Sequence, residues 1–205
     1  MTYLLEVCQL QRPGCEPLDI SLATGEALAV MGPSGAGKSR LLRAIAELDP
    51  NEAEAVSLAG ADRSSFAAPA WRRQVTYVAA TPGWWAPTVA DHFKTEHLTD
   101  ANALATRVSL PSNAFEWTVS RLSTGEAQRL ALIRALVQKP KVLLLDEPTA
   151  SLDDEATAKV EALLRQRMTD GASLVIVTHN KNQVARLAKH CLRMDRTGKV
   201  TVEKV

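Results

Sequence analysis

The chain has 205 residues, of which 46% are hydrophobic, and a formal net charge of +1. The length fits one domain, and the composition is sufficient for an ordinary packed core. The near-neutral charge argues against a protein held on nucleic acid by its overall field, so no nucleic-acid partner is expected. The longest apolar runs have strand length, well short of the roughly 18 to 20 residues that a membrane-spanning helix needs.

The N-terminal segment Met1–Leu10 has no basic residue and carries Glu6, so it does not have the form of a secretory signal. Cys8, Cys15 and Cys191 lack the spacing of metal ligands and are interpreted as unpaired thiols. We therefore expect a soluble cytosolic chain that reaches a membrane only through a partner.

The elements predicted in chain order alternate between strands and helices. Apolar runs bounded by turn residues indicate strands at Tyr3–Gln9, Leu18–Leu22, Ala27–Met31, Ala55–Ala59, Gln74–Ala79, Lys141–Leu145 and Ser173–Val177. Apolar residues at helical spacing indicate helices at Arg40–Leu48, Thr124–Gln138, Asp153–Met168 and Lys181–Lys189. Two short strands are expected at the C-terminus. The alternation predicts an α/β fold with a mainly parallel sheet covered on both faces.

The first predicted helix has its apolar residues on one face, at Leu41, Leu42, Ile45 and Leu48. It is expected to end at Asp49-Pro50-Asn51, because proline disfavours helix in the residue before it. A turn at Pro13-Gly14 is expected to join the first two strands. The segment from about 81 to 122 is different in character: it begins with a loop containing Trp84 and Trp85 and continues with weakly helical, polar sequence. We interpret it as a small helical insertion into a single domain spanning 1–205.

A phosphate-binding motif, G-x-x-x-x-G-K-[ST], occurs in full between the third strand and the first helix. The candidate nucleotide-binding residues are Gly32, Pro33, Ser34, Gly35, Ala36, Gly37, Lys38, Ser39 and Arg40. The backbone N–H groups of such a loop and the helix N-terminus attract phosphate oxygens. Lys38 is expected to reach the β- and γ-phosphates, and Ser39 to ligate Mg²⁺. The motif alone does not separate kinase, GTPase and transport ATPase, and a chance glycine-rich turn is the alternative interpretation.

Two acids follow the apolar strand at Val142–Leu145. A charge at the end of a buried strand is costly to desolvate unless it meets a cation or hydrogen bonds, and ligands of α/β folds bind at this sheet edge. Asp146 is therefore expected to hold Mg²⁺ opposite Ser39. Glu147 is expected to orient and polarise the attacking water. An acidic turn that merely caps the strand is the alternative.

The segment Arg121–Arg129 narrows the class of protein. Its residues Ser123, Thr124, Gly125 and Glu126 resemble the L-S-G-G-Q signature of the ATP-binding cassette (ABC) ATPases. The resemblance implies that Ser123 and the backbone of Gly125 contact the γ-phosphate bound by the opposite subunit. The same residues form a Ser-x-x-Glu capping box at the start of a helix, an interpretation compatible with the first.

Two further motifs of this family follow in order. Asp146–Asp153 resembles the strand-end acids and the D-loop, whose residues Ser151-Leu152-Asp153 would contact the partner subunit. Val177–Asn180 resembles the switch motif, in which His179 donates a hydrogen bond to the γ-phosphate and helps to hold Glu147 and the water in line. The resemblance covers about residues 3 to 200. It implies a P-loop NTPase with a mainly parallel core, an N-terminal antiparallel β subdomain and a short helical insertion.

The function that the resemblance implies is that of the ATPase subunit of an ABC transporter. It would bind ATP with Mg²⁺, close with a second cassette into a homodimer, and drive a separate membrane permease from the cytoplasmic face. Gln74–Tyr77, Thr81-Pro82 and Val142–Glu147 look most like short cassettes of two-component bacterial exporters, including those linked to iron efflux. The alternatives are a non-transport ABC ATPase and a degenerate cassette that acts as a nucleotide-dependent regulatory partner.

The chain departs from the family pattern at several positions. Ala80 stands where a glutamine normally contacts Mg²⁺ and water, and alanine has no donor or acceptor. The region from Gln11 to Cys15 has no aromatic residue to stack on adenine, which leaves the guanidinium of Arg12 as a candidate. Thr124 replaces a glycine of the signature, and Glu126 replaces a glutamine and adds a negative charge.

Trp84 and Trp85 lie where family members form a groove for the coupling helix of the membrane subunit. Exposed indoles would anchor such a helix well. The alternative is that both rings pack within the helical insertion.

Overall fold

The computed structural model describes residues 3–11, 15–50 and 52–205. The strands are β1 (Leu5–Leu10), β2 (Leu18–Leu22), β3 (Ala27–Met31), β4 (Ala55–Leu58), β5 (Ala61–Asp62), β6 (Val75–Val78), β7 (Val142–Asp146), β8 (Ser173–Val177), β9 (His190–Met194) and β10 (Val200–Lys204). The α-helices are α1 (Lys38–Ile45), α2 (Ala68–Gln74), α3 (Leu98–Arg107), α4 (Thr124–Leu136), α5 (Asp154–Thr169) and α6 (Lys181–Leu187). Short 3₁₀ turns occupy Arg63–Ser65, Ala90–His92, Thr95–His97, Ala114–Glu116 and Val119–Arg121.

The strands form two sheets. The larger has the order β10-β9-β3-β8-β7-β6, and its neighbours pair in parallel except for the terminal pair β10 and β9. The smaller has the order β2-β1-β4-β5 and is antiparallel throughout. The predicted fold class, a mainly parallel core with an N-terminal antiparallel part, is therefore confirmed.

Alternate residues of the central strands face opposite sides of the large sheet, as the period of two in a strand requires. In β3, Ala27 and Ala29 belong to one buried apolar cluster, and Leu28 and Val30 belong to the other. The first cluster also contains buried side chains of α3, α4, α5 and α6, and the second contains those of α1, α2 and the antiparallel sheet. The large sheet is thus covered on both faces, as predicted.

The segment 81–122 is brought back on itself near its two ends. Val89 N–H donates to the Trp117 carbonyl at 2.9 Å, and Val119 N–H donates to the Pro87 carbonyl at the same distance. Buried side chains from this segment share one cluster with those of α4. The segment is therefore packed against α4, the helix that begins in the signature. That it is an insertion into one domain stays a prediction.

The first helix differs from its predicted bounds at both ends. It begins at Lys38, inside the phosphate motif, and ends at Ile45. Glu47 then takes a left-handed conformation with φ 56°, and Leu48 N–H donates to the Arg43 carbonyl at 2.8 Å. This reversal carries Leu48 off the apolar face and leaves it 41% exposed, so its predicted core position is wrong.

Several other predictions meet the structure differently. α2 and β5 were not predicted, because a seven-residue helix that begins Ala-Pro and a two-residue strand carry little periodic signal. The predicted turn at Pro13-Gly14 and the residue Asn51 lie outside the described residues.

Cys8, Cys15 and Cys191 are free thiols, as predicted. Among the helices of the described ranges, none combines the length and apolarity that crossing a bilayer requires.

Trp71 provides a test of the packing beneath the antiparallel sheet. Its indole is fully buried, donates from Nε1 to the Ile45 carbonyl at 2.9 Å, and packs edge-on against Phe66. Trp71→Ala is expected to lower the free energy of unfolding by about 3 to 5 kcal/mol, measured in urea. The control Trp85→Ala, at an exposed indole that contacts Arg134 and His92, should change it by about 1 kcal/mol or less. Equal losses for the two variants would contradict the described core.

Candidate nucleotide-binding site

The candidate site lies at the carboxyl ends of β3, β8 and β7, which are neighbours in the large sheet. Because these strands are parallel, the segments that follow them meet at one edge. A cavity of about 370 Å³ opens there. It is lined by Ser34, Gly35, Gly37, Lys38, Ser39, Arg40, Ala80, Asp146, Glu147, Val177 and His179. The structure thus brings together the predicted loop, both strand-end acids and the predicted histidine.

The phosphate loop has a conformation that requires its glycines. Gly35 and Gly37 are left-handed, with φ of 83° and 86°, a region open to glycine at little cost. At Gly32 a Cβ atom would lie 2.1 Å from the carbonyl oxygen of Met194 in β9. The first glycine is therefore required by close packing of the backbone, and the other two by their dihedral angles.

Lys38 closes the loop on itself. Its ammonium donates to the carbonyl oxygens of Gly32 at 2.8 Å and Pro33 at 3.0 Å, and the side chain is buried. Ser39 and Arg40, the next residues of α1, are exposed at the cavity. A phosphate group entering the loop would meet the N-terminus of α1, where unpaired N–H groups favour an anion.

Asp146, the last residue of β7, is buried and shares a hydrogen bond that the sequence analysis did not predict. The hydroxyl of Tyr77 in β6 donates to its Oδ2 at 3.0 Å. Burial, followed by the Asp146 carboxylate, holds the pKa of Tyr77 well above its ordinary value, so the phenol remains a donor. The contact joins residues 69 positions apart, and the only sequence signal for it was an aromatic residue on a strand next to β7.

Glu147 and His179 face one another across the end of the sheet. His179 Nε2 lies 3.2 Å from Glu147 Oε1, and the Glu147 side chain is 21% exposed. Burial raises the pKa of Glu147, with the Asp146 charge adding to the effect, while His179 and Lys38 oppose it. A carboxylate with a raised pKa accepts a proton more readily, as a group that activates water must.

The signature residues lie outside this cavity. Ser123 is the N-cap of α4, and it donates to Glu126 Oε2 from its N–H at 2.9 Å and from its hydroxyl at 2.8 Å. Glu126 N–H donates back to Ser123 Oγ at 3.3 Å, which confirms the capping box. Burial acts to raise the pKa of Glu126, but these bonds and the nearby Arg129 and Arg121 outweigh it and hold the pKa below its ordinary value.

The capping box changes the interpretation of the signature departures. The carboxylate that replaces a glutamine is held by Ser123, and Thr124 lies exposed beside it. Gly125 approaches the D-loop closely, since a Cβ there would lie 2.9 Å from the Ser151 carbonyl oxygen. The start of α4 and the D-loop therefore form one continuous surface.

The two adjacent tryptophans differ from each other. Trp85 is 74% exposed, whereas Trp84 is partly buried against the core cluster. The ring of His92 lies edge-on to both, and the guanidinium of Arg134 lies 4.7 Å and 4.8 Å from their ring centroids. Trp84 therefore packs against the core and Trp85 does not, and the role of the exposed ring in docking a membrane subunit stays a prediction. Of the two positions that depart from the family around the nucleotide, Ala80 lines the cavity, and Arg12 lies outside the described residues.

The fold and the groups around this cavity define the class of phosphate-loop nucleoside triphosphatases. The sequence profile of the ABC transporter family matches residues 15–150. The probable iron export ATP-binding protein FetA of Escherichia coli (strain K12) is 34% identical over 176 residues, which cover 82% of this chain and 78% of that protein. The chain therefore belongs to the ABC transporter family, as an ATP-binding subunit.

Two further similarities agree with this assignment. Protein STAR1 of Oryza sativa subsp. japonica is 38% identical over 180 residues, which cover 83% of this chain. The match covers 52% of the rice protein, so the chain spans about half the length of this relative. A solved structure described as the ATP binding subunit of an ABC transporter superposes with a TM-score of 0.87 at 22% identity, covering 98% of this chain and 90% of that one. It confirms the fold.

The raised pKa of Glu147 predicts a pH-dependent stability. Above that pKa the ionised carboxylate destabilises the folded state, and this effect disappears as the pH falls below the ordinary value of 4.5. Glu147→Gln is therefore expected to melt at a higher temperature than the wild type at pH 8, with the difference shrinking towards pH 5. Glu155→Gln, at a carboxylate 80% exposed, serves as the control. A difference independent of pH would contradict a raised pKa.

Proposed function

We propose that the chain binds Mg-ATP in the 370 Å³ cavity and hydrolyses it with Glu147 and His179. The observation that carries the proposal is that the phosphate loop, Asp146, Glu147 and His179 line one cavity. Lys38 exchanges the carbonyl oxygens of Gly32 and Pro33 for the β- and γ-phosphates. Backbone N–H groups of the loop, to which Pro33 contributes none, and of the first turn of α1 surround the phosphates.

Ser39 and Asp146 are the residues that would hold Mg²⁺. The ion prefers oxygen ligands and is usually held by one or two carboxylates together with substrate phosphates. Asp146 fits this role, because Tyr77 holds one carboxylate oxygen in a buried position at the cavity wall. Within residues 3–11, 15–50 and 52–205, no group of three His, Cys, Asp or Glu side chains could hold a metal by itself, which suits an ion shared with the nucleotide. Bound there, Mg²⁺ neutralises charge on the phosphates.

Glu147 and His179 act on the attacking water. Glu147 orients the water in line with the γ-phosphate and accepts its proton, which the raised pKa favours. His179 donates a hydrogen bond to the γ-phosphate from a position 3.2 Å from the Glu147 carboxylate. The two side chains together restrict the water to one direction of attack.

We infer that the site is completed by a second copy of the chain. Ser123 and Gly125 lie outside the cavity of their own chain, at the start of a helix whose N–H groups suit a phosphate. Two copies that close face to face would place each signature on the γ-phosphate held by the other. The D-loop residues Ser151-Leu152-Asp153, which border Gly125, would lie at the same interface.

The membrane permease is the proposed partner on the side of the helical segment. The exposed Trp85 ring, held by Arg134 and His92, presents a rigid aromatic surface of the kind that anchors a helix. Docking there would place the chain in the cytoplasm, on the inner face of the membrane. Cargo and direction of transport would be chosen in the permease, so the proposal covers the ATPase step.

The position of Ala80 favours one alternative, a cassette that binds nucleotide as a regulatory partner and turns it over slowly. Its methyl group lies on the cavity wall, where a glutamine would contact Mg²⁺ and water. The turnover of the wild-type protein separates the two functions. Hydrolysis that depends on Glu147 supports the transport ATPase, and tight ATP binding without hydrolysis supports the regulatory partner.

Lys38→Ala is expected to abolish ATP binding, because it removes the ammonium that lies between the loop carbonyls and the phosphates. Equilibrium binding of a fluorescent ATP analogue in the presence of Mg²⁺ measures the effect. Lys181→Ala, at an exposed lysine at the start of α6, should bind as the wild type does. An unchanged affinity in Lys38→Ala would refute the assignment of the loop.

Glu147→Gln is expected to bind Mg-ATP while its kcat falls by about 100-fold or more, because the amide cannot accept the proton of water. With Mg-ATP bound, this variant should shift from monomer to dimer in light scattering, because the ATP that holds the dimer closed is not hydrolysed. Glu203→Gln, on the exposed strand β10, should hydrolyse normally. Wild-type turnover in Glu147→Gln would move the catalytic role elsewhere, and a monomer with ATP bound would contradict closure between two copies.

A further inference from the structure

Gln128, in the second turn of α4, directs both ends of its side-chain amide at the loop that follows β7. The side chain is 3% exposed. Its Nε2 donates to the backbone carbonyl of Glu147 at 2.5 Å, and its Oε1 lies 3.4 Å from the N–H of Ser151 as acceptor. A polar side chain this deeply buried is costly unless its bonds are satisfied. This one is satisfied by the backbone of the residue that activates water and by the D-loop.

The backbone of Glu147 is held in an unusual conformation. Its φ is 48°, in the left-handed region, which is unfavourable for a residue with a side chain. Its N–H donates to the Val177 carbonyl at 3.0 Å, and its carbonyl accepts from Gln128 and from Ala150 N–H at 3.2 Å. Such conformations persist where surrounding contacts determine them. The bond from Gln128 is a contact of that kind, and it comes from the signature helix.

A second buried amide holds the other side of the same loop. Gln183 of α6 donates from Nε2 to Thr149 Oγ1 at 2.9 Å and to Glu161 Oε1 at 3.2 Å. The Glu161 carboxylate is in turn held by Arg186 through two bonds of 2.6 Å and 2.7 Å. The loop therefore lies between α4 and α6, and α6 begins directly after the loop that carries His179. With α6 fixing Thr149, the bond from α4 sets the backbone at Glu147.

We propose that Gln128 is a positioning residue for ATP hydrolysis. It fixes the left-handed backbone of Glu147 so that the carboxylate faces His179, and it makes that geometry depend on the position of α4. This inference rests on the proposed role of Glu147 in activating water. α4 begins at Ser123, in the signature. A phosphate bound by the opposite subunit that contacts this signature would therefore act on α4, the helix that holds Glu147 in the same chain.

The test begins with Gln128→Met, which keeps the length of the side chain and removes both its donor to Glu147 and its acceptor for Ser151. The kcat should fall by about 10- to 100-fold, the loss that a misplacement near 1 Å produces, while the affinity for Mg-ATP stays within twofold. Gln138→Met, at an exposed glutamine just beyond the end of α4, is the matched control and should retain full activity. Gln128→Asn, which keeps the amide but is one methylene too short to place its donor on the Glu147 carbonyl, should also lower kcat and serves if the methionine variant does not fold.

A double variant separates positioning from a general structural effect. If Gln128 acts through Glu147, adding Gln128→Met to Glu147→Gln should lower the residual hydrolysis by less than about twofold. A structural effect would lower it by the full factor seen in the wild-type background, and that result would overturn the proposal. Equal kcat in Gln128→Met and wild type would overturn it as well.

A crystal structure of Gln128→Met decides the question without any activity. The expected result is that Glu147 leaves its left-handed conformation and that its carboxylate moves beyond 4 Å from His179. An unchanged loop overturns the proposal. The conformation of Glu147 in this crystal structure also distinguishes a failure of the proposed ATPase role from a failure of the positioning role. A wild type that binds ATP without hydrolysis would end the proposed ATPase role, and the position of Glu147 in the variant would still support or overturn the positioning.

Discussion

The parallel pairing of β3, β8 and β7 is the constraint on which the rest of the structure depends. The register Leu28↔Val175 and Leu143↔Leu174 places three strand ends side by side. The phosphate loop lies more than a hundred residues before the strand-end acids and the histidine in the sequence, and this pairing makes the three neighbours. A shift by one residue would turn every side chain of the strand to the other face and disperse the site.

The hydrophobic core enforces this register. Each of the three strands is buried on both faces, so its side chains alternate between two apolar clusters. Polar groups are confined to the strand ends, where they meet solvent or one another. Burial of the strands and convergence of the charged groups are therefore two results of one pattern: apolar runs of four or five residues with polar groups at their ends. The carboxylate of Asp146 marks the boundary, since it is buried and still hydrogen-bonded.

The parts of the fold and site that were predictable lie in contiguous motifs. The loop between β3 and α1, the acids after β7 and the histidine after β8 each occupy a few adjacent residues with a fixed local geometry. Tyr77 and Gln128 were not predictable in this way, because each acts on a residue 69 or 19 positions away through one side-chain contact. The prediction that Leu48 lies on the apolar face of α1 failed for a local reason. Glu47 takes a left-handed conformation, which the sequence did not indicate because no glycine stands there. Sequence patterns predict the secondary structure and the motif of a segment. Side-chain contacts between distant segments become visible only in the structure.

The bonds from Lys38 to the carbonyl oxygens of Gly32 and Pro33 have a kinetic consequence. The two carbonyl oxygens occupy the ammonium as phosphate oxygens would, and the bonds hold the curvature of the loop. Under the proposed function, ATP binding would exchange these partners of Lys38 with little reorganisation of the backbone, which would favour fast association. The same carbonyls recapture the ammonium when the product leaves, so the resting loop competes with ADP and shortens its stay. For the proposed ATPase, which must release ADP after each round of hydrolysis, such competition would be an advantage.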